Sequence, residues 1–270
     1  MLFLAVCFII TGIIVGILSG LFGLGGGLTV VPLMMVFVSV YEPSFSANAM
    51  HIAVATSLFV MIFTSTITTY SHHKAKNIIW KVAIPIKIGV IISAILGAIL
   101  ASFLSSKILK IFFIIFLIYT VIKWAAKSFS KKKKDGRASQ RIEPNNILSI
   151  IYGSFTGAIA VLLGIGSSVM IVPFLKHKNF TMGQAAAIAA AVTPFIALLG
   201  ALTYIVTGFS EISLPHFCLG YVYLPAAIGI ICGSLIGAPI GTRLSAKIAP
   251  AIQNIIYFAF LIIILIIMVS

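Results

Sequence analysis

Charge is what this sequence has least of. Asp, Glu, Lys and Arg make up 8% of its 270 residues, against about 25% in a soluble domain. Four residues are acidic, Glu42, Asp135, Glu143 and Glu211, and none lies inside a long apolar stretch. That argues against a buried carboxylate relay or a carboxylate-built cation cage. The three cysteines, Cys7, Cys218 and Cys232, stand in apolar surroundings without a CxxC pair, so no disulfide framework or cysteine metal site is expected. There is no HxxxH pair and no His/Asp/Glu cluster, and neither a metal nor a cofactor is expected. Gly23 to Gly27 run on into Leu28 and Thr29, where a phosphate-binding loop would need Lys and Ser or Thr. No nucleophile stands with a base, so the residues do not read as an enzyme.

What is present is apolar: 61% of the chain is hydrophobic. No water-soluble fold could hide that much apolar surface. Leu2 to Leu18 lacks the basic n-region and cleavage site of a signal peptide and reads as a retained first helix. Stretches of spanning length occur at Leu2–Leu21, Ala49–Tyr70, Val82–Phe103, Ile108–Trp124, Ile147–Leu163, Ala185–Thr207, Phe217–Gly241 and Ile248–Val269. Two shorter ones, Leu28–Tyr41 and Val169–Leu175, follow glycine-rich breaks. The sequence therefore predicts an all-α integral membrane protein with 8 full transmembrane helices and 2 short broken segments.

Basic residues outnumber acidic ones, 18 to 4, and eight lie between Lys123 and Arg141. This cluster reads as a cytoplasmic loop under the positive-inside rule, not as a nucleic-acid surface. With that loop inside and all ten segments crossing, fifteen basic residues fall inside and two, Lys107 and Lys110, outside. Lys87 alone lies within a helix; this near the helix start its stem can snorkel to the interface.

The chain repeats itself. Leu21, Gly23, Gly25, Val31 and Pro32 recur 141 residues on as Leu162, Gly164, Gly166, Val172 and Pro173. Gly89, Ser93, Gly97 and Ala101 recur 140 residues on as Gly229, Gly233, Gly237 and Gly241. A small residue at every fourth position lets two helices approach closely in lipid. The expected organisation is a first transmembrane repeat over 1–125, a basic cytoplasmic linker over 126–146 and a second repeat over 147–270. Five segments per half is an odd number, so the halves would have inverted topology.

A duplicated glycine break inside apolar sequence points to the binding site of a secondary transporter. Helices restarting near Gly26 and Ser167 would present backbone N–H groups and a positive dipole end to an anion. Candidate substrate-binding residues are Gly23, Gly25, Gly26 and Gly27 with Gly164, Gly166, Ser167 and Ser168. Asn48 and His51 share a helix face, and Thr56 aligns with Thr193; these four complete the set. Ser57 carries a third hydroxyl beside Thr56, and helix-to-helix bonding is the competing role for all three hydroxyls.

The run from Gly20 to Gly27 with Pro32-Leu33, the Ala55-Thr56-Ser57 triplet, and Gly164-Ile165-Gly166 with Val172-Pro173 resemble the TauE/SafE family of sulfite and organosulfonate exporters. The resemblance runs over nearly the whole chain. It implies a multi-pass protein of the cell inner membrane whose substrate is a small anion such as sulfite, a sulfonate or a related organic acid. An anion channel or a proton-coupled anion importer is the alternative. Expected partners are that anion and membrane lipid, with no nucleic acid; the sequence leaves room for a homo-oligomer.

Overall fold

Among the described residues the chain forms ten α-helices. The structure, a computed structural model, describes residues 2–22, 26–41, 43–129, 145–211, 214–248 and 250–269. The first five helices are α1 (Leu2–Phe22), α2 (Gly27–Tyr41), α3 (Ala49–Lys74), α4 (Trp80–Ser102) and α5 (Ser106–Phe129). The second five are α6 (Asn146–Leu163), α7 (Ser168–His177), α8 (Met182–Gly208), α9 (Leu224–Lys247) and α10 (Pro250–Val269). Helix is what a run of apolar residues must form in lipid, because each backbone polar group then finds its partner within its own segment.

Among the described residues six helices are long and apolar enough to cross a membrane: α1, α3, α4, α6, α8 and α9. The two segments after the breaks are short, 15 residues in α2 and 10 in α7. Both carry a proline, Pro32 and Pro173.

One boundary departs from expectation. The stretch read as a single span over Phe217–Gly241 begins instead with a two-stranded hairpin, β1 (Cys218–Leu219) and β2 (Val222–Tyr223), and helix starts only at Leu224. Gly220 turns the hairpin with φ +54°, and Phe217 before it has φ +68°. A β-turn in apolar sequence leaves no trace in hydrophobicity. It is tolerated here because protein covers it: Tyr221, Val222 and Tyr223 are all buried.

The glycine stripes do face other helices. A Cβ at Gly12, Gly16 or Gly20 of α1 would strike the backbone of α9 at Ile230, Ser234 and Ala238. One at Gly233, Gly237 or Gly241 of α9 would strike Ile9, Ile13 and Ile17 of α1. α4 and α6 pair in the same way through Gly89, Gly97, Gly153 and Gly157. In both pairs residue numbers rise together, so α1 runs parallel to α9 and α4 to α6.

α3 and α8 cross the centre, antiparallel. Thr69 Oγ1 of α3 donates to Ala190 O of α8 at 2.7 Å, and Gly200 faces Leu58 farther along. A groove between the ends of α3 and α9 is lined by Thr68, Ser71, Thr242 and Arg243. The bundle thus has a basic end, where Lys74, Lys76, Lys81, Lys176, Lys178 and Arg243 gather at the ends of α3, α4, α7, α8 and α9. The opposite end carries Lys107 and Glu211.

Candidate functional site

The second break is fully described. α6 closes on Gly164, which takes the left-handed conformation at φ +64°, while Ile165 N donates back to Ala160 O at 2.9 Å. That Schellman-type ending needs a residue without a Cβ penalty at φ > 0. Three residues later Ser167 O accepts the first bonds of α7, from Met170 N and Ile171 N. The first break restarts its helix from the equivalent carbonyl, but Gly26 is left-handed where its counterpart Ser167 is right-handed at φ −63°. Gly26 has φ +84°, and its carbonyl accepts the first bonds of α2, from Thr29 N and Val30 N at 3.1 Å each. Gly23 and Gly25 lie outside the described residues.

The two breaks meet. A Cβ on Gly27 would lie 2.5 Å from Gly164 O and 3.1 Å from Ile165 Cα. Ser57 of α3 ties them: its Oγ lies 2.8 Å from Gly164 O and 3.2 Å from Gly27 O. Gly26, Gly27, Ser57, Gly164, Gly166, Ser167 and Ser168 are all buried. The start of α2 therefore lies against the end of α6 in the interior, and α7 restarts four residues beyond that contact. Ser57 is the residue the candidate set lacked. Its position one residue after Thr56 in the Ala55-Thr56-Ser57 triplet was the available signal.

Ser167 and Thr193 also come together, Oγ to Oγ1 at 2.9 Å, and both lie 2.9 Å from Ala189 O. Pro194 follows Thr193 and lacks the N–H that would bond Ala190 O; Thr69 Oγ1 fills that place from α3.

The structure puts Asn48, His51 and Thr56 elsewhere. Thr56 Oγ1 accepts the Tyr223 N–H at 3.0 Å, docking the hairpin onto α3. Asn48 stands at the N-cap of α3, and its Nδ2 donates to Glu211 Oε1 at 3.3 Å. The His51 ring stacks on Tyr221 with centroids 5.1 Å apart, and its Nε2 is 3.2 Å from Ala101 O. Burial, and then the Glu211 charge, push the Tyr221 phenol above its ordinary range, so it stays neutral. Asn48 and His51 thus form a cluster at the end away from the lysine loops, apart from the breaks.

Lys87 does not snorkel to the helix end. Its Nζ lies over the ring of Phe195, 4.5 Å from the centroid, and Phe195 is the middle residue of the 27-residue α8. No group of three potential metal ligands occurs among the described residues.

Residues 8–269 match the family described as sulfite exporter TauE/SafE. The chain belongs to that family. A probable membrane transporter protein of Haemophilus influenzae is 29% identical over 246 residues, covering 91% of this chain and 90% of the relative. One of Methanocaldococcus jannaschii is 33% identical over 243 residues, covering 90% and 86%. One of Bacillus subtilis is 25% identical over 254 residues, covering 90% and 89%. No solved structure matches the chain. The TauE/SafE protein described here is a multi-pass membrane transporter, not an enzyme.

Proposed function

We propose that this TauE/SafE transporter carries a small anion outward across the cell inner membrane, with sulfite, a sulfonate or a related organic acid as cargo. The anion binds where the two glycine breaks meet. The observation that carries this reading is the Ser57 hydroxyl between the Gly27 and Gly164 carbonyls. It ties the N-terminal start of α2 to Gly164, the C-cap of α6, and the helices that restart after the two breaks, α2 and α7, offer positive dipole ends to an anion without a fixed charge. Gly26, Gly27, Gly166, Ser167 and Ser168 supply the donors, Gly23 and Gly25 extend them, and Gly164 and Thr193 shape the second break.

The working unit is two inverted halves, 1–125 and 147–270, joined by a cytoplasmic basic linker over 126–146, each with four full spans and one short segment. The helix pairing supports this. A two-fold exchange of α1 with α6 and of α4 with α9 turns the α1–α9 pair into the α4–α6 pair, and it maps α3 onto α8. α1 runs toward the basic end and α6 away from it, as inversion requires. Asn48, His51 and Thr56 line the outer route, and the hydroxyls and Arg243 of the α3–α9 groove offer anions access from the cytoplasm.

Export suits the energetics. An inside-negative potential drives one negative charge outward with about 2.3 kcal/mol per 100 mV, so no coupling ion is required. The test is flux from proteoliposomes under an imposed potential, with sulfite, methanesulfonate and acetate as cargo. Saturable flux of one of these anions, accelerated by a negative interior, is the expected result. Conductance rising linearly with concentration would make the protein a channel, and flux that needs a proton gradient would make it an importer.

A further inference from the structure

Lys87 sits in the third turn of α4, yet its ammonium reaches Phe195 in the middle of α8. Phe195 lies 13 residues from Met182 and 13 from Gly208, about 20 Å along the axis from either end. Lys87 and Phe195 are each half-buried, side by side where α4 packs against α8. The charge has no acidic partner among the described residues. The chain has only four acids. Glu211 is held by Asn48 at the opposite end from the lysine loops. Glu42, Asp135 and Glu143 stand in the sequence between helices, not within one.

A charge inside a span is costly unless something compensates it. A face-on contact with phenylalanine, the weaker kind of cation–π partner, supplies only a fraction of that cost. The protein offers no carboxylate for the rest. We propose that Lys87 is an anion-binding residue whose counter-ion is a small diffusible oxyanion held beside it where α4 meets α8. Depth decides between sources. A lipid phosphate lies at the headgroup level, and the middle of a 27-residue helix is beyond its reach.

This site is distinct from the glycine breaks. Thr193, which touches Ser167, and Phe195 are two residues apart on α8, so they point to nearly opposite sides of that helix at one level. Lys87 would gather the anion on one side of α8 and the breaks would bind it on the other. The inference rests on the anion-transport reading.

The experiment uses sulfite flux and sulfite-induced thermal stabilisation of the full-length protein, in neutral phosphatidylcholine and with added phosphatidylglycerol. Lys87→Met is expected to raise the KM for sulfite at least tenfold with little change in maximal rate. It should also remove most of the rise in Tm that sulfite gives the wild type. Lys87→Arg should stay within threefold of wild type, because it keeps the charge. Lys87→Gln guards against an effect of shape and should behave as Lys87→Met does. A wild type that moves no anion would overturn the transport reading itself. A wild type that transports sulfite, with Lys87→Met unchanged in KM and Tm response, would overturn this inference alone. So would a Lys87→Met protein that has lost only its response to phosphatidylglycerol, since a lipid headgroup would then be the counter-ion.

Discussion

Ser57 and Gly164 stand 107 residues apart in the chain, and the hydroxyl of one lies 2.8 Å from the carbonyl oxygen of the other. Gly27 O is 3.2 Å from the same hydroxyl. One proton cannot fully serve two carbonyls, so Ser57 acts as a shared latch on both breaks. Any motion that separates α2 from α6 must pass through it. Ser57→Ala leaves a buried carbonyl without its donor, at a cost of about 1–3 kcal/mol. Expected outcomes are a lower thermal midpoint in detergent and anion flux reduced at least tenfold. Ser57→Thr, which keeps the hydroxyl, should recover much of both. Wild-type flux and stability in Ser57→Ala would remove the latch from the mechanism.

The α1–α9 interface makes a second prediction. Gly233 packs against the backbone of Ile9 and Ile13 with no room for a side chain. Gly233→Leu should destabilise the fold by about 1–3 kcal/mol or more, because the backbones must separate. Leu235, two residues on, is 48% exposed on the lipid side. Leu235→Ala should change stability by no more than about 0.5 kcal/mol. Thermal unfolding of the two purified variants separates packing from general intolerance of α9, and equal effects would contradict the interface.

Much of this fold was legible because lipid simplifies the code. Helices follow from apolar runs, and the two short segments follow from glycine and proline at fixed offsets. Gly12, Gly16 and Gly20 announce a close helix partner, but nothing in their spacing says that the partner is α9 instead of a neighbour in sequence. That choice is tertiary. The hairpin at Cys218–Tyr223 was hidden for a related reason: its residues are as apolar as a span, and only the positive φ of Phe217 and Gly220 makes the turn. At the site, the glycine breaks were readable as backbone chemistry. The grouping of Asn48 and His51 with them was not supported by position, since residues on one helix face can still lie more than a turn from the chemistry. Ser57 and Lys87 needed coordinates, because what matters in each is where one side-chain atom ends.

Charge makes the third prediction, on topology. Six basic side chains gather at the lysine-loop end of the bundle, and Cys218 lies in the hairpin at the other. In a protein with Cys7 and Cys232 replaced by alanine, a membrane-impermeant maleimide should label Cys218 on intact cells. With all three native cysteines replaced, Lys76→Cys should react only after the membrane is opened. The reverse pattern would place the basic end outside and invert the direction assigned to transport.

The last prediction concerns the breaks themselves. Gly164 holds φ +64°, and a Cβ there would sit 3.0 Å from both Val31 Cγ2 and Val54 Cα. Two penalties then coincide. An L-residue in the left-handed region costs about 1–2 kcal/mol, and the added atom presses on α2 and α3, the helices that shape the first break and carry Ser57. Asparagine tolerates left-handed backbone better than most residues, while valine is the worst fit, being β-branched. If conformation matters as well as space, Gly164→Asn should keep more flux than Gly164→Val, although its side chain extends farther from the backbone. Gly166→Val should abolish flux by blocking backbone approach to the anion. Gly183 in the first turn of α8 is the control, because a Cβ there meets nothing within 4 Å. Gly183→Ala should transport at the wild-type rate. Flux is to be compared at matched amounts of folded protein, so that a loss at the breaks is a loss of function and not of protein. If Gly164→Val and Gly166→Val both transport like Gly183→Ala, the breaks only pack helices and the anion binds elsewhere.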